Sequence, residues 1–475
     1  MKRATEKSGK ENCHDHETKN TSNGTGQYVN GKQSTKSIIE DAKKFSYTQG
    51  AAVIPPLLVF LCPAFAMVLS YTIVKLNGSP YALFAMVKSN GWIGLFQNAW
   101  LPYIFGSKVA WCYILPYAAF QLILMRILPG KETKGPITPA GNVPIYKANG
   151  LLSYFVTLAA FFGCAYGLNL FDPADIYDHY LEIIGAMNVV SLVFCALLIA
   201  KGRILPSSTD NGTSGSVLFD YYWGTELYPR VLGWDIKMFT NCRFGMMGWP
   251  LLLLCYAAKQ HQLYGLSDSM LVSVGIQLIY ITKFFHWEMG YMKTLDIMHD
   301  RAGFYLCWGC LVWIPSVYTS HTLYLTNHPN QLGLPLAIAI FTIGIISVLI
   351  NYDADRQKEI VRNTNGNCTI WGRKPVTILA SYRTTTGEKK TSLLLASGWW
   401  GVSRHFHYIP ELMAALAWSL PALFNSGLPY FYFVFLTILL THRAIRDDGR
   451  CREKYGKHWE EYCKQVPKKI VPFLF

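Results

Sequence analysis

The sequence predicts an all-α protein, a polytopic transmembrane bundle of about ten helices. Hydrophobic residues make up 51% of the 475-residue chain and charged residues only 15%, which is too apolar a composition for an ordinary soluble enzyme. Apolar stretches long enough to cross roughly 30 Å of hydrocarbon recur along the chain. Each of these segments is expected to be helical, because a helix satisfies its own backbone polar groups inside lipid.

Eight apolar spans are clear. They are Ala51 to Val74, Val109 to Met125, Leu151 to Leu170, Ile183 to Ala200, Phe244 to Ala258, Met270 to Phe285, Phe304 to Tyr318 and Leu332 to Ile350. A last apolar region, Leu412 to Leu440, contains Pro421 and a Gly427-Leu428-Pro429 break. These breaks favour two helices or a re-entrant hairpin over one long span.

The polar segments define the organisation of the chain. Residues 1–46 are rich in Lys, Asn, Thr, Ser and Gly, which is typical of a disordered tail, and they lack the features of a cleaved secretory signal. Lys and Arg gather in this tail, in 356–390 and in 443–469, and the positive-inside rule places all three in the cytosol. The net charge of +14 therefore reflects membrane topology and does not indicate a nucleic-acid partner. We expect a disordered cytosolic tail (1–46), a transmembrane bundle with a substrate pocket (47–350), and a membrane-embedded region that faces the cytosol (351–475).

Several common site motifs are missing from the sequence. No G-x-G-x-x-G follows a predicted strand, so no Rossmann domain is expected, and any dinucleotide must bind the bundle itself. Walker, H-E-x-x-H and G-x-S-x-G motifs are absent, as are histidine boxes, and no metal site is predicted. The scattered cysteines are expected to be free thiols. Cys307 and Cys310 have C-x-x-C spacing but lie mid-helix with no second pair.

Lys358 and Arg362 lie four residues apart on one face of the polar helix end from Asn351 to Arg362. Two cations on one face suit a phosphate group. The alternative is a solvated helix end that obeys the positive-inside rule.

A second candidate is the run from Ser397 to Tyr408, which combines glycines, two tryptophans, two histidines and an arginine. Small residues let a backbone approach a flat ring, aromatic side chains stack on it, and His, Arg and Tyr donate to amide and phosphate oxygens. An interfacial aromatic belt would explain the tryptophans but not the clustered polar groups. The run therefore favours a ligand site.

The segment from Thr441 to Gly456 places Arg443, Asp447 and either Arg450 or Cys451 on one helical face. Arginines spaced in this way can clamp a diphosphate and a ribose 2′-phosphate, and Asp447 can accept hydrogen bonds from ribose hydroxyls. A cationic amphipathic helix lying on anionic lipid is an equal alternative.

Long motifs in the chain resemble those of the sterol reductases of the endoplasmic reticulum, over roughly residues 50 to 475. The similar segments include Gly224 to Arg230, Lys293 to Asp300, the Ser-Gly-Trp-Trp-Gly-x-x-Arg-His run that starts at Ser397, and the Arg-Asp-x-x-x-Cys-x-x-Lys-Tyr-Gly run from Arg446 to Gly456. The resemblance implies a multi-pass protein of the endoplasmic reticulum membrane. It also implies an NADPH pocket open to the cytosol and a second pocket, reached from the bilayer, for a sterol.

Carried over by motif, the resemblance implies specific NADPH contacts. These are Lys358, Arg362, Leu395, Trp400, His407, Tyr408, Asp447, Cys451, Arg452, Glu453, Lys454, Tyr455 and Tyr462. Arg443 joins them from the helical-face argument above. The implied reaction is reduction of a sterol ring double bond, foremost C7=C8 of 7-dehydrocholesterol to give cholesterol, with membrane lipid and an associated sterol isomerase as partners. The alternatives are a C14 or side-chain sterol reductase, an isoprenylcysteine-type methyltransferase, or a catalytically impaired sterol-binding protein.

Several positions depart from the family pattern on the expected substrate side. The family usually continues the tryptophan motif as Asn-Tyr-x-Gly-Asp, where this chain has His407 to Glu411. It usually has an acid where this chain has Lys283, Gly-Asp where this chain has Gly309-Cys310, and Asn where this chain has Tyr228.

A hydride adds to a ring alkene only when a proton makes the alkene electrophilic, so the site needs an acid that is shielded from water. We expect Tyr280 and Glu288 to form the proton-delivery group, because an ionisable residue at membrane depth is costly without a function. The alternative for Glu288 is a pairing with an arginine at the helix end.

Overall fold

The predicted helical membrane bundle is confirmed. The computed structural model describes residues 54–138, 140–383 and 389–471, so the expected tail at 1–46 lies outside the described residues. Within the described residues, seven helices are long and apolar enough to cross a membrane. They cover Ile54–Lys75, Lys108–Ile127, Gly150–Gly167, Tyr180–Ile204, Asp268–His286, Leu334–Asn363 and Leu428–Tyr455.

The described residues form the following elements in chain order. The α-helices are α1 (Ile54–Lys75), α2 (Pro80–Ala99), α3 (Lys108–Ile127), α4 (Gly150–Phe162), α5 (Pro173–Asp178), α6 (Tyr180–Ile204), α7 (Val217–Trp223), α8 (Met246–Tyr264), α9 (Asp268–His286), α10 (Glu288–Tyr291), α11 (Leu295–Met298), α12 (Ser320–Asn327), α13 (Leu334–Asn363), α14 (Trp399–Val402), α15 (Tyr408–Ser419), α16 (Phe431–Tyr455) and α17 (Lys457–Gln465). The π-helical segments are Gly163–Gly167, Met238–Gly245 and Phe304–Tyr318, and the 3-10 turns are Leu420–Ala422 and Leu428–Tyr430.

Helix α2 was not among the spans predicted from the sequence. Its apolar pattern is interrupted by Lys88, Ser89, Asn90 and Gly91, which lowers the hydropathy that identifies a membrane helix. The structure breaks the helix at the same place, because Gly91 has φ 67° and ψ −176°.

The apolar region from 412 to 440 is divided as predicted. Helix α15 ends at Ser419, two 3-10 turns follow, and α16 begins at Phe431. Pro421 and Pro429 occupy the first turns of the two 3-10 segments, where proline has no intrahelical bond to lose.

Three antiparallel hairpins were not predicted. The two-stranded sheets are β1 (Lys131–Lys134) with β2 (Ile145–Ala148), β3 (Arg230–Val231) with β4 (Trp234–Asp235), and β5 (Thr377–Arg383) with β6 (Lys389–Leu395). The third hairpin pairs Thr377 with Leu395, and its inward residues pack with Trp459 and Tyr462 of α17. It therefore covers one side of the carboxy-terminal region.

One large apolar cluster runs through the bundle from α1 to α16 and includes the fully buried aromatic side chains of Tyr180, Trp249 and Trp418. Helix α13 packs closely along α15 and α9. At 30 residues it is roughly 45 Å long, longer than the hydrocarbon layer is thick. Its last turns, which carry Lys358 and Arg362, therefore project out of the membrane.

The C-x-x-C pair belongs to the core. Cys307 and Cys310 lie on the π-helical segment Phe304–Tyr318, and both are buried free thiols. Asn241 donates a hydrogen bond to Cys310 Sγ at 3.0 Å. The described residues contain no cluster of three or more His, Cys, Asp or Glu placed to hold a metal ion.

Candidate functional site

The projecting end of α13 meets the tryptophan motif. Lys358 Nζ lies 4.1 Å from the ring centroid of Trp400, a cation–π contact. The Trp400 indole N–H donates to the carbonyl of Ala354, one turn earlier on α13, at 2.7 Å. This bond fixes the indole against the helix directly beneath the lysine.

A glycine turn lets the motif approach α13. Gly398 has φ +61°, and a Cβ there would lie 2.2 Å from Gln357 Oε1. Gln357 instead accepts the backbone N–H of Trp399 at 3.1 Å, and Asp353 accepts the Trp399 indole N–H at 2.9 Å. Trp399 itself stacks on Phe406 with ring centroids 4.6 Å apart. One face of its indole ring is therefore covered by a protein side chain.

His405, His407 and Tyr408 continue the site. The His407 ring lies 5.0 Å from Trp400 and 4.3 Å from Tyr408, and the His405 ring stacks on Tyr408 at 5.3 Å. Burial lowers the pKa of His405 to about 4, against the smaller opposing effect of Asp447. Burial, reinforced by Lys358, also holds the pKa of His407 well below its usual value. Both imidazoles are neutral at neutral pH.

Two imidazole atoms in this cluster are available to a ligand. His407 Nδ1 and His405 Nε2 are buried, and neither has a hydrogen-bond partner within the described part of the chain. A buried polar atom without a partner costs about 1–3 kcal/mol, so such atoms are expected where a ligand supplies the missing bond.

Helix α16 brings Asp447 and Cys451, two residues of its predicted ligand-binding face, next to His405. Asp447 Oδ2 lies 3.9 Å from His405 Nε2 and 3.9 Å from Cys451 Sγ. Asp447 and Cys451 are also electrostatic neighbours of Lys358. Lys358, Trp400 and Asp447, which belong to three separate segments, are therefore gathered at one site.

Arg443, on the same helix, forms an ion pair away from the Lys358–Asp447 group. Its guanidinium is paired with Asp296 of α11, and Arg446 pairs with Asp300 at 2.7 Å. These two ion pairs tie α16 to the 295–300 segment. A contact of Arg443 with a cofactor stays a prediction.

The other predicted cofactor residues fall into two sets. Leu395, Tyr455 and Tyr462 are buried and form a floor under the motif, where Tyr462 Oη donates to the carbonyl of Trp400 at 3.5 Å. The exposed set forms a charged rim and consists of Arg362, Arg452, Glu453 and Lys454. In this rim Lys454 lies over the ring of Tyr382, at 4.2 Å from its centroid.

Arg404, which sequence analysis considered as a donor to a ligand, instead binds the chain segment 466–468. It is 7% exposed and donates to the carbonyl of Val466 at 3.0 Å. Its Nε lies 3.5 Å from Asp448, which also accepts the Trp459 indole N–H at 3.2 Å.

A second polar cluster lies deeper in the bundle, where α9, α13 and α15 meet. Tyr280 Oη donates to Glu411 Oε1 at 2.5 Å. Asn351 Nδ2 donates to Glu411 Oε2 at 3.1 Å and to the carbonyl of His407 at 2.8 Å. Lys283 donates to Asn351 Oδ1 and lies 3.7 Å from Asp355. Of these residues, sequence analysis singled out only Tyr280 as catalytic.

Tyr280 and Glu411 keep accessible surface although they lie within the bundle, and the same holds for Lys283, Asp355, His407, Tyr408 and Asp447. A connected set of partly accessible polar groups therefore runs from the candidate cofactor site to the Tyr280–Glu411 pair. The rings of Trp418 and Trp249 flank Tyr280 at 5.2 Å and 5.9 Å.

Glu288 has a different environment. Helix α9 ends at His286, and Glu288 begins the short helix α10. Both of its carboxyl oxygens pair with Arg243, and Arg243 also donates to Asn149 Oδ1 at 2.9 Å. Glu288 is 2% exposed. Tyr280 and Glu288, predicted to act together, thus have different partners, and the catalytic role of each stays a prediction.

The fold and site define a multi-pass helical membrane protein with a cationic, aromatic candidate site at the polar end of α13. The chain matches the family described as Ergosterol biosynthesis ERG4/ERG24 over residues 46–475. It is 54% identical over 420 residues to the 7-dehydrocholesterol reductase of Arabidopsis thaliana, covering 88% of this chain and 96% of that protein. It is 39% identical over 375 residues to the 7-dehydrocholesterol reductase of Xenopus laevis, covering 76% and 79%.

The Delta(14)-sterol reductase of Methylotuvimicrobium alcaliphilum is 38% identical over 377 residues, covering 77% of this chain and 86% of that protein. The chain therefore belongs to the ERG4/ERG24 family of sterol reductases, and it is a membrane oxidoreductase.

Proposed function

We propose that this protein uses NADPH to reduce the C7=C8 double bond of a 5,7-diene sterol such as 7-dehydrocholesterol. The observation that carries the proposal is the meeting of Lys358, Trp400 and Asp447 at the membrane exit, in continuity with the Tyr280–Glu411 pair. Relatives named 7-dehydrocholesterol reductase, one of them 54% identical, support the choice of bond.

The residues present fit a reduced, 2′-phosphorylated dinucleotide. Lys358 and the exposed Arg362 offer charge to phosphates, and Asp447 offers acceptors to ribose hydroxyls. The unpartnered His407 Nδ1 offers a neutral polar contact to an amide. When bound, NADPH supplies the hydride.

The deeper cluster would supply the proton. Tyr280 would give its hydroxyl hydrogen to the sterol, and the neutral carboxyl group of Glu411, 2.5 Å from Tyr280 Oη, would replace that hydrogen. The buried indoles of Trp249 and Trp418 exclude water around Tyr280.

Glu288 remains a second candidate acid. Its ion pair with Arg243 and its small exposed fraction favour Tyr280 with Glu411 as the delivery group. The variants described in the Discussion decide between the two.

We further propose that the protein resides in the endoplasmic reticulum membrane with its cationic rim in the cytosol, where NADPH is found. Its sterol would enter from the bilayer, and a sterol isomerase is a candidate partner. Coexpression and copurification with such an isomerase would test the association.

The direct test is expression in yeast, whose main sterols are 5,7-dienes, with sterol analysis by mass spectrometry. The proposal expects 7-saturated sterols, and their absence alongside full expression would refute it. Reduction at C14 is the second candidate, favoured by the 38% identity to a protein named Delta(14)-sterol reductase. It predicts rescue of a yeast strain that lacks its own C14 reductase. Calorimetry with NADPH on the purified protein separates either reductase from a sterol-binding protein without a cofactor.

A further inference from the structure

Asn351 joins the two halves of the site through its side-chain amide. Its NH2 group donates to Glu411 Oε2 at 3.1 Å and to the carbonyl of His407 at 2.8 Å, and its Oδ1 accepts from Lys283. Every hydrogen-bonding group of the amide is used, and Asn351 is 4% exposed.

Lys283 fixes the orientation of this amide. An ammonium group has only donors, so the oxygen of Asn351 must face Lys283. The NH2 group must then face Glu411, which leaves the other carboxyl oxygen of Glu411 for the hydroxyl of Tyr280.

Lys283 also places a positive charge beside the carboxyl group. Lys283 Nζ lies 3.7 Å from Asp355 Oδ2, and its charge acts on Glu411. Among the other charged and titratable groups near Glu411 are Asp355 and Tyr280. A carboxylate formed away from water costs several kcal/mol unless a cation and hydrogen bonds compensate it.

We propose, resting on the proposed function, that Lys283 is a positioning residue that acts through Asn351 to stabilise the Glu411 carboxylate formed during proton delivery. As the O–H bond of Tyr280 breaks, a C–H bond forms on the sterol alkene. For this step Glu411 starts as the neutral carboxylic acid, and its proton moves to Tyr280 Oη as the Tyr280 proton leaves. The bound cofactor would supply the hydride that completes the reduction. The Glu411 carboxylate then regains a proton from water, so one alkene, one hydride and one proton give one saturated bond.

The test compares Lys283→Met, which removes charge and donors, with Lys283→Arg, which keeps both. Lys283→Gln keeps a donor for Asn351 without the charge. The matched control is Lys293→Met, because Lys293 is exposed and pairs with Glu359 at 3.3 Å. Each protein is assayed for sterol kcat and KM, for NADPH affinity by calorimetry, and for unfolding in denaturant.

Lys283→Met should lower kcat about 10- to 100-fold, a part of the roughly 10²- to 10⁴-fold that a positioned acid contributes. The sterol KM and the NADPH affinity should stay within about twofold, and Lys283→Arg should recover most of kcat. Lys283→Gln should fall between the two. An unchanged kcat in folded Lys283→Met would overturn the proposal. A parallel loss of NADPH affinity would also overturn it, since Lys283 would then belong to the cofactor site.

Infrared difference spectroscopy gives a readout that needs no turnover. The carboxyl C=O band of Glu411, identified by its loss in Glu411→Gln, should be stronger in Lys283→Met at neutral pH, because the carboxylate form loses its cation. An equal band in both proteins would contradict the proposal. If the unaltered protein reduces no sterol, the proposed function fails, whereas the infrared comparison still decides whether Lys283 acts on Glu411.

Discussion

Replacing Glu288 by Gln should lower the free energy of unfolding by about 3–5 kcal/mol, because the change leaves a buried guanidinium without its counter-charge. The side chains of Arg243 and Glu288 are 1% and 3% exposed, and both terminal nitrogens of Arg243 bond the carboxylate. After the substitution, Arg243 keeps only the oxygen of Asn149 and one amide oxygen. Neither of these groups carries charge.

Water cannot readily replace the lost charge. A Cβ placed on Gly150 would lie 2.3 Å from Glu288 Oε2, so backbone closes over the carboxylate on that side. The cost should therefore approach the upper part of the range, where a broken buried pair stays dry.

The assay is a double-mutant cycle with Arg243→Gln, Glu288→Gln and the double variant, followed by tryptophan fluorescence during denaturant unfolding. The double variant should be less destabilised than either single variant, since two neutral amides can bond one another. Asp178→Asn is the control, because its pair with Lys259 is partly exposed and should contribute only about 0–1 kcal/mol.

Turnover of the same variants decides the role of Glu288. If the double variant is folded and reduces sterol, Glu288 stabilises the fold and is not the acid. If it is folded, binds NADPH and is inactive, Glu288 belongs to proton delivery. A Glu288→Gln protein that unfolds at the same denaturant concentration as the unaltered chain would refute the energetic reasoning.

Three further predictions concern the candidate cofactor site. Gly398→Ala should lower the unfolding free energy by about 1–3 kcal/mol, because its Cβ would overlap Gln357 at φ +61°; denaturant titration checks this. Lys358→Met should weaken NADPH binding about 10- to 100-fold in calorimetry, through loss of a charge-assisted hydrogen bond of roughly 1.5–3 kcal/mol. His405, with its pKa lowered to about 4, binds a proton in the unfolded but not the folded chain between pH 6.5 and 4. The free energy of unfolding should therefore fall as pH falls through that window. His405→Gln should reduce the slope of the unfolding free energy against pH by the equivalent of about one proton.

Matched controls exist for these variants. Gly427 has φ −79° and open space around its Cβ position, so Gly427→Ala should change stability by less than about 1 kcal/mol. Lys293→Met should leave NADPH affinity unchanged. Equal effects at Gly398 and Gly427, or at Lys358 and Lys293, would contradict the placement of the site. An unaltered pH slope in His405→Gln would contradict the burial argument.

The membrane helices could be predicted because hydropathy is a property of single segments. Lys358, Arg362, Trp400 and Asp447 could be found for a related reason, since cations and aromatics stand out at the polar ends of apolar spans. The contact between Tyr280 and Glu411 could not be predicted from the sequence. The two residues are 131 positions apart, and their contact depends on how α9 packs on α15.

The hairpin of β5 and β6 shows a signal that sequence analysis overlooked. Ile378 and Ala380 alternate with the outward Leu379 and Ser381, which is the period of a half-buried strand. The density of charge in this region hid the alternation. The inward residues pack on Trp459, so the hairpin supports the floor of the site.

Helix α13 fixes the distance between the proposed proton-delivery group and the candidate cofactor site. Asn351 and Lys358 are seven residues apart, so they share one face and lie roughly 10 Å apart along the helix axis. The first holds Glu411 and the second lies over Trp400. Because a single helix carries both residues, the spacing between the two proposed sites is set by the fold. Asn351 is buried in the polar cluster around Glu411, whereas Lys358 is partly exposed near the polar end of the helix. This arrangement suits the proposed pairing of a lipid-soluble substrate with a charged cofactor.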